Sequence, residues 1–305
     1  MRQRTQARQN GENEEAPLGV RYQVDGRRLL LHRSGSGGPA VVFLPGSGAV
    51  GLDYLNIHDR VSAFTTSVLY DRAGTGWSDH VELPRKAGEV AGELRELLGA
   101  AGVPPPYLLV GHSLGGAYAR RYAQLYPGQV AGVLFLDPYT EGYLALSPKR
   151  TIGGTLWQAF ALLRLAVRVK PVYRRMFGQW LAGWPEPVRG PLIDYHLGTL
   201  RKTFAEQKNL NTEVMAEIRD GGGMPDVPVI VLAAMGIDPF QAVLIPQVQL
   251  RELNSHKAAI YRPLAESVPR GEYRPIEGAG HSTLHADRPD AVIQAIRDLL
   301  ERSAT

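Results

Sequence analysis

The chain has 305 residues, 44% hydrophobic and 21% charged, enough for one large core or for a core of about 220 residues carrying an insert. A net charge of only +4, with no Lys/Arg cluster interleaved with aromatics, argues against a nucleic-acid partner. The absence of cysteine excludes disulfides, thiolate metal sites and a cysteine nucleophile.

Residues 1–17 are polar and charged, lack the apolar run of a secretory signal, and read as a disordered tail. Short apolar runs rich in β-branched residues then recur between turn signals, and they predict strands at Val20–Val24, Arg27–His32, Val41–Leu44, Val68–Tyr70, Tyr107–Val110, Val130–Leu136, Val229–Ala234 and Glu272–Ile276. Asp25-Gly26 between the first two suits a tight hairpin, so the sheet should begin antiparallel. The runs AVVFL, YLLVG and GVLFLD are continuously apolar, as expected of strands covered on both faces. Helical spacing appears over Lys86–Ala101, Leu114–Tyr126 and Pro289–Arg302. Strand and helix alternate, which predicts an α/β fold: a mostly parallel eight-stranded sheet flanked by helices. Residues 140–226 break the alternation with helical patterns and no convincing strand, and read as a helical insert between core segments 18–139 and 227–305. The longest apolar-looking stretch, Leu156 to Val169, is interrupted by Gln158, Arg164 and Arg168 and falls short of the roughly 20 residues that span a bilayer. A cytoplasmic protein with no integral membrane segment is expected.

Chemistry concentrates in Gly111-His112-Ser113-Leu114-Gly115-Gly116, a G-x-S-x-G run that follows the strand YLLV and opens a helix. That spacing implies a strand-to-helix turn so tight that its central residue is strained and exposed, with side chains at positions 111 and 115 forbidden. The turn sets Ser113 at a helix N-terminus, where free amides and the helix dipole favour developing negative charge.

With these motifs the chain resembles the α/β-hydrolase superfamily from about Val20 to Arg302. Leu44-Pro45-Gly46-Ser47-Gly48 follows the third strand, where the family has a His-Gly turn contributing to the oxyanion hole; here Pro45 replaces the His. The resemblance implies that the Ser47 and Leu114 amides form that hole. Asp71-Arg72-Ala73-Gly74-Thr75-Gly76-Trp77-Ser78 looks like the family's bracing turn and is assigned structure rather than chemistry. Gly278-Ala279-Gly280-His281 resembles the loop that delivers the catalytic histidine.

A hydroxyl is a poor nucleophile at neutral pH, so Ser113 needs a base near pKa 7, which imidazole supplies. His281 is the best placed of eight histidines; His112 should point away from the nucleophile, and His58 and His285 read as structural or rim residues. Two aspartates stand at strand ends where an acid could orient His281. Asp238 fits the commonest family position and is preferred; Asp137, in Leu136-Asp137-Pro138, is the alternative.

The resemblance makes 140–226 a cap over the site. Its apolar and aromatic residues include Leu156, Trp157, Phe160, Leu163, Tyr173, Met176, Phe177, Trp180, Leu181 and Trp184, which either line a pocket or pack the cap. Arg164, Arg168, Lys170, Arg174 and Arg175 read as a solvated face, with an anionic-substrate or membrane-surface contact as the alternatives. The expectation is a serine hydrolase cleaving an ester of a small or medium hydrophobic substrate through an acyl-enzyme, without metal or organic cofactor. Thioester, lactone or carbon-carbon hydrolysis and cofactor-free perhydrolysis use the same triad, and a non-catalytic binding protein of the same fold is the reading from another class. Oligomeric state is left open.

Overall fold

Asp25 and Gly26 both take positive φ, 44° and 75°, as a type I′ hairpin turn requires. Across that turn β1 (Val20–Val24) and β2 (Arg27–Ser34) pair antiparallel. The remaining strands are β3 (Ala40–Leu44), β4 (Ser67–Tyr70), β5 (Tyr107–His112), β6 (Val130–Leu136), β7 (Val229–Ala234) and β8 (Gly271–Ile276). They complete an eight-stranded sheet ordered β1-β2-β4-β3-β5-β6-β7-β8. β2 meets β4 antiparallel, and every pairing from β4 to β8 is parallel. This is the α/β-hydrolase architecture that the sequence predicts. The computed structural model describes residues 15–143 and 170–304.

The helices that cover the sheet are α1 (Leu55–Val61), α2 (Ala87–Ala100), α3 (Leu114–Leu125), α4 (Glu186–Glu206), α5 (Gln247–Ala265) and α6 (Pro289–Ser303). Alternate side chains of each strand serve opposite layers, because the side-chain period of a strand is two. Val42 and Leu44 join a core with Val90 and Leu94 of α2, Tyr118 of α3 and Tyr261 of α5. Val41 and Phe43 join the other core, with Ile57 of α1 and Ile296 of α6. Burial on both faces explains the unbroken apolar strands, each such side chain contributing about 1.5–3 kcal/mol.

Strand order reverses at β3: the chain leaves it for β4 on one side and returns to β5 on the other. In open α/β sheets a crevice opens at such a switch, outside the carboxyl ends of the strands. The loop after β3 and the turn after β5 therefore face each other across it.

The predicted strands and helices lie within about two residues of the observed ones. Among the described residues, α1, the 19-residue α5 and a short helix at Leu284–Asp287 were not predicted. The buried stripe of α5 runs through Leu250, Asn254, Lys257, Tyr261 and Leu264; two polar residues interrupt the apolar signal at helical spacing. Between β6 and β7 the described residues include helical residues 170–180, α4 and a short helix at Met215–Asp220, and contain no strand. Residues 1–14 of the expected tail, and Leu156, Trp157, Phe160, Leu163, Arg164 and Arg168, lie outside the described residues.

Candidate active site

Ser113 sits between β5 and α3 with φ 51° and ψ −118°, a backbone conformation costing roughly 1–3 kcal/mol for a residue with a side chain. Its neighbours enforce the bend. The Ser113 amide donates to the Leu136 carbonyl at 3.1 Å, and the Ser113 carbonyl accepts from the Tyr139 amide at 3.0 Å. A β-carbon on Gly115 would stand 2.0 Å from the Leu44 carbonyl oxygen, and one on Gly111 2.7 Å from the α-carbon of Gly116. Only glycine lets β3, β5 and α3 converge there, which is the physical content of the motif.

His281 arrives from the loop after β8. Its Nε2 is 3.0 Å from Ser113 Oγ, and its Nδ1 is 2.6 Å from Asp137 Oδ2. The structure thus brings Ser113, His281 and Asp137 together, and this corrects the preference for Asp238. Asp238 instead binds backbone: one oxygen accepts from the Gln241 amide at 2.7 Å and the other from the Ser282 amide. It braces the loop one residue beyond His281, while the imidazole leans across to the end of β6. The Gly236 amide, bonded to the Ala279 carbonyl at 2.7 Å, anchors the same loop to the end of β7.

Asp137 is itself in the left-handed region, φ 45°, and fully buried. Oδ1 accepts from the Ala234 amide at 3.0 Å and the Tyr261 hydroxyl at 3.2 Å; Oδ2 accepts from Lys257 Nζ at 2.8 Å besides His281. Burial alone would raise this carboxyl. The His281 hydrogen bond and the Lys257 charge outweigh it and hold the group at about 2. A carboxylate fixed in its ionised form accepts a hydrogen bond from Nδ1–H, leaving Nε2 free to accept from Ser113. Lys257, Tyr261 and Asn254, whose amide binds the Met235 and Gly236 carbonyls, were missed by sequence reasoning. Their signal was a lysine and an asparagine on the buried stripe of α5.

His112 lines the same cavity as Ser113, but both of its ring nitrogens are engaged elsewhere. Its Nε2 lies 2.8 Å from the His281 carbonyl oxygen and its Nδ1 2.6 Å from the Tyr54 hydroxyl. A carbonyl only accepts, so Nε2 carries the proton; burial, chiefly, depresses the ring's pKa to about 3 and keeps it neutral. His58 and His285 are buried and structural, His58 on Ser67 Oγ at 2.8 Å and His285 on the Asp53 carbonyl at 3.0 Å.

The loop after β3 lies against the bend: a β-carbon on Gly46 would be 3.4 Å from that of Ser113. Among the described residues, no protein hydrogen bond engages the Ser47 or Leu114 amide. Both are therefore available to an acceptor beside Ser113.

Ser113 and His281 open into a cavity of about 390 Å³ walled by Tyr173, Phe177, Trp180, Phe240, Leu244 and Ile245. Phe177 stacks on His196 at 4.6 Å, and His196 Nε2 is 2.8 Å from the buried Asp53. Trp184 donates to the Leu52 carbonyl at 2.8 Å, and Leu181 is core. Arg174 pairs in solvent with Asp194. A larger cleft of about 660 Å³, lined by Gly35–Gly38 and Pro104–Pro106, offers no histidine or carboxylate.

A sequence profile described as "Alpha/beta hydrolase family" matches residues 41–295. Protein YbdG of Bacillus subtilis is 32% identical over 131 residues, 41% of this chain and 40% of that protein. A 2-hydroxy-6-oxononadienedioate/2-hydroxy-6-oxononatrienedioate hydrolase of Burkholderia vietnamiensis is 32% identical over 147 residues, 46% of this chain and 51% of its own length. The chain thus spans about half, or less, of the length of these relatives. Among solved structures, an esterase from Exiguobacterium antarcticum superposes with a TM-score of 0.62 at 19% identity, covering 93% of this chain and all of that one.

Proposed function

The chain belongs to the alpha/beta hydrolase family, and from that premise we propose that it is a serine hydrolase acting on esters of small or medium hydrophobic substrates. The observation that carries this reading is the chain of contacts from Asp137 to His281 to Ser113, at 2.6 and 3.0 Å. Ser113 Oγ attacks the ester carbonyl carbon while His281 Nε2 takes the hydroxyl proton. Charge developing on the carbonyl oxygen is held by the Ser47 and Leu114 amides, with the N-terminus of α3 adding its dipole. His281 then returns the proton to the leaving alcohol, and the acyl group stays on Ser113. Water, deprotonated by His281, attacks the acyl carbon, and as the bond to Ser113 Oγ breaks His281 returns that proton to Oγ, releasing the acid and restoring the enzyme. Asp137 stays ionised throughout and stabilises the imidazolium.

The aromatic wall favours an apolar acyl or aryl group, and Tyr173, Phe177 and Trp180, from the segment between β6 and β7 that we read as a cap, supply half of it. A carboxylate nucleophile, as needed to open epoxides or displace halide, has no counterpart at position 113. A fluorophosphonate probe tests the reading: labelling of the wild type and its loss in Ser113→Ala are expected, whereas folded wild-type protein that resists the probe would remove the enzyme claim. A panel of p-nitrophenyl esters of graded chain length then fixes the acyl preference.

A further inference from the structure

The loop that carries Ser47 is gripped by an ion pair reaching in from α4. Arg72, in the turn after β4, and Glu206, at the end of α4, are both nearly inaccessible to solvent, at 2% and 3% exposure. The guanidinium donates through Nε to Glu206 Oε1 at 2.7 Å, and its other two nitrogens donate to the Pro45 carbonyl at 2.9 Å and the Gly46 carbonyl at 2.7 Å. Glu206 Oε2 accepts the Gly48 amide at 2.6 Å. The Ser47 hydroxyl donates to the Thr203 carbonyl, one turn back on α4, at 2.9 Å. Around Ser47 the Pro45 and Gly46 carbonyls and the Gly48 amide are therefore engaged, and among the described residues the Ser47 amide has no protein acceptor. Gly48 has φ 71°, and a β-carbon there would stand 2.1 Å from Thr203 Oγ1; glycine is what lets α4 approach this closely.

Removing two opposite charges from water costs more than a well-packed apolar pair would, so burial of Arg72 with Glu206 is poorly explained by stability alone. It is well explained by direction. A planar fork with a carboxylate behind it fixes two carbonyls and one amide at once, which no apolar pair does.

We propose that Arg72 and Glu206 are positioning residues for the oxyanion hole, and that the segment between β6 and β7 thereby completes the catalytic machinery as well as walling the pocket. The inference rests on the serine-hydrolase reading above. The oxyanion exists only in the transition state and the tetrahedral intermediate, so loosening the Ser47 amide lowers kcat and leaves ground-state binding nearly alone.

The experiment compares wild type with Glu206→Gln and Arg72→Lys on one p-nitrophenyl ester, after each is shown to be folded by circular dichroism and a cooperative melt. Expected is a fall in kcat of about 10- to 100-fold with KM within about threefold. A trifluoromethyl ketone, which needs the oxyanion hole to bind as its hemiketal, should weaken by a similar factor. A folded variant whose kcat stays within twofold of wild type, or whose loss lies wholly in KM, overturns the proposal. Arg72→Lys keeps the charge and loses the fork, so it carries the test should Glu206→Gln not fold. Fluorophosphonate labelling of the wild type separates the two failures: a labelled enzyme indifferent to Glu206→Gln sinks only the clamp, and an unlabelled one sinks the serine-hydrolase reading with it.

Discussion

Lys257 and Asp137 form an ion pair inside the fold, Nζ to Oδ2 at 2.8 Å, with the two side chains 3% and 0% exposed. The carboxylate oxygen that Lys257 holds is the one that His281 Nδ1 holds. The charge on α5 and the imidazole on the loop after β8 thus meet on one atom at the end of β6, and three chain segments distant in sequence share a single electrostatic problem.

Asp137→Asn should reduce ester turnover by about 10³- to 10⁴-fold, because an amide cannot hold His281 in the tautomer that accepts from Ser113. Asp238→Asn should cost less than about tenfold, since among the described residues its carboxylate accepts from the Gln241 and Ser282 backbone amides. Measuring kcat/KM for both variants on one substrate decides between the two acids; the reverse ranking refutes the assignment.

Lys257→Met should destabilise the fold by about 3–5 kcal/mol, because it leaves the Asp137 charge buried without its cation. Asp137→Asn combined with Lys257→Met should cost less than the two single losses added together. A double-mutant cycle by urea denaturation measures this, and strict additivity would show that the pair is not coupled.

Stability should also follow the Asp137 carboxyl in acid. Its pKa stands at about 2 in the fold against an ordinary 3.8. A depressed carboxyl contributes stability that is present above the ordinary value and lost as pH falls through the lowered one. Between about pH 4 and pH 2 the wild type should therefore lose about 2 kcal/mol through this group. Asp137→Asn should give a flatter curve over the same window; parallel curves would contradict the origin assigned to the shift.

Ser113→Gly should abolish turnover yet stabilise the protein by about 1 kcal/mol, as glycine relieves the strain of φ 51°. Ser113→Ala, which keeps a β-carbon, should lose activity without that gain. Denaturation midpoints of the two variants, compared side by side, isolate the strain.

Trp180→Ala should move the acyl-length optimum of the p-nitrophenyl series upward, because Trp180 walls the cavity that Ser113 faces. An unchanged profile would place the acyl group elsewhere.

The sequence by itself determined the strands, most of the helices, the position of Ser113 and the loop carrying His281, because each depends on local physics. Unbroken apolar runs mark strands buried on both faces, and the motif marks the bend at Ser113 through its spacing, although of its two glycines only Gly111 is demanded by contacts inside the turn while Gly115 is demanded by the end of β3. Only the tertiary structure decided which aspartate meets His281. Asp137 and Asp238 follow adjacent strands, and the choice turns on how the loop after β8 leans, which the Gly236–Ala279 backbone bond and the Ser282 amide's bond to the Asp238 carboxylate determine. Lys257 and Glu206 were illegible for a related reason: a charged residue on a helix reads as solvent-facing until the fold shows the opposite charge waiting beneath it.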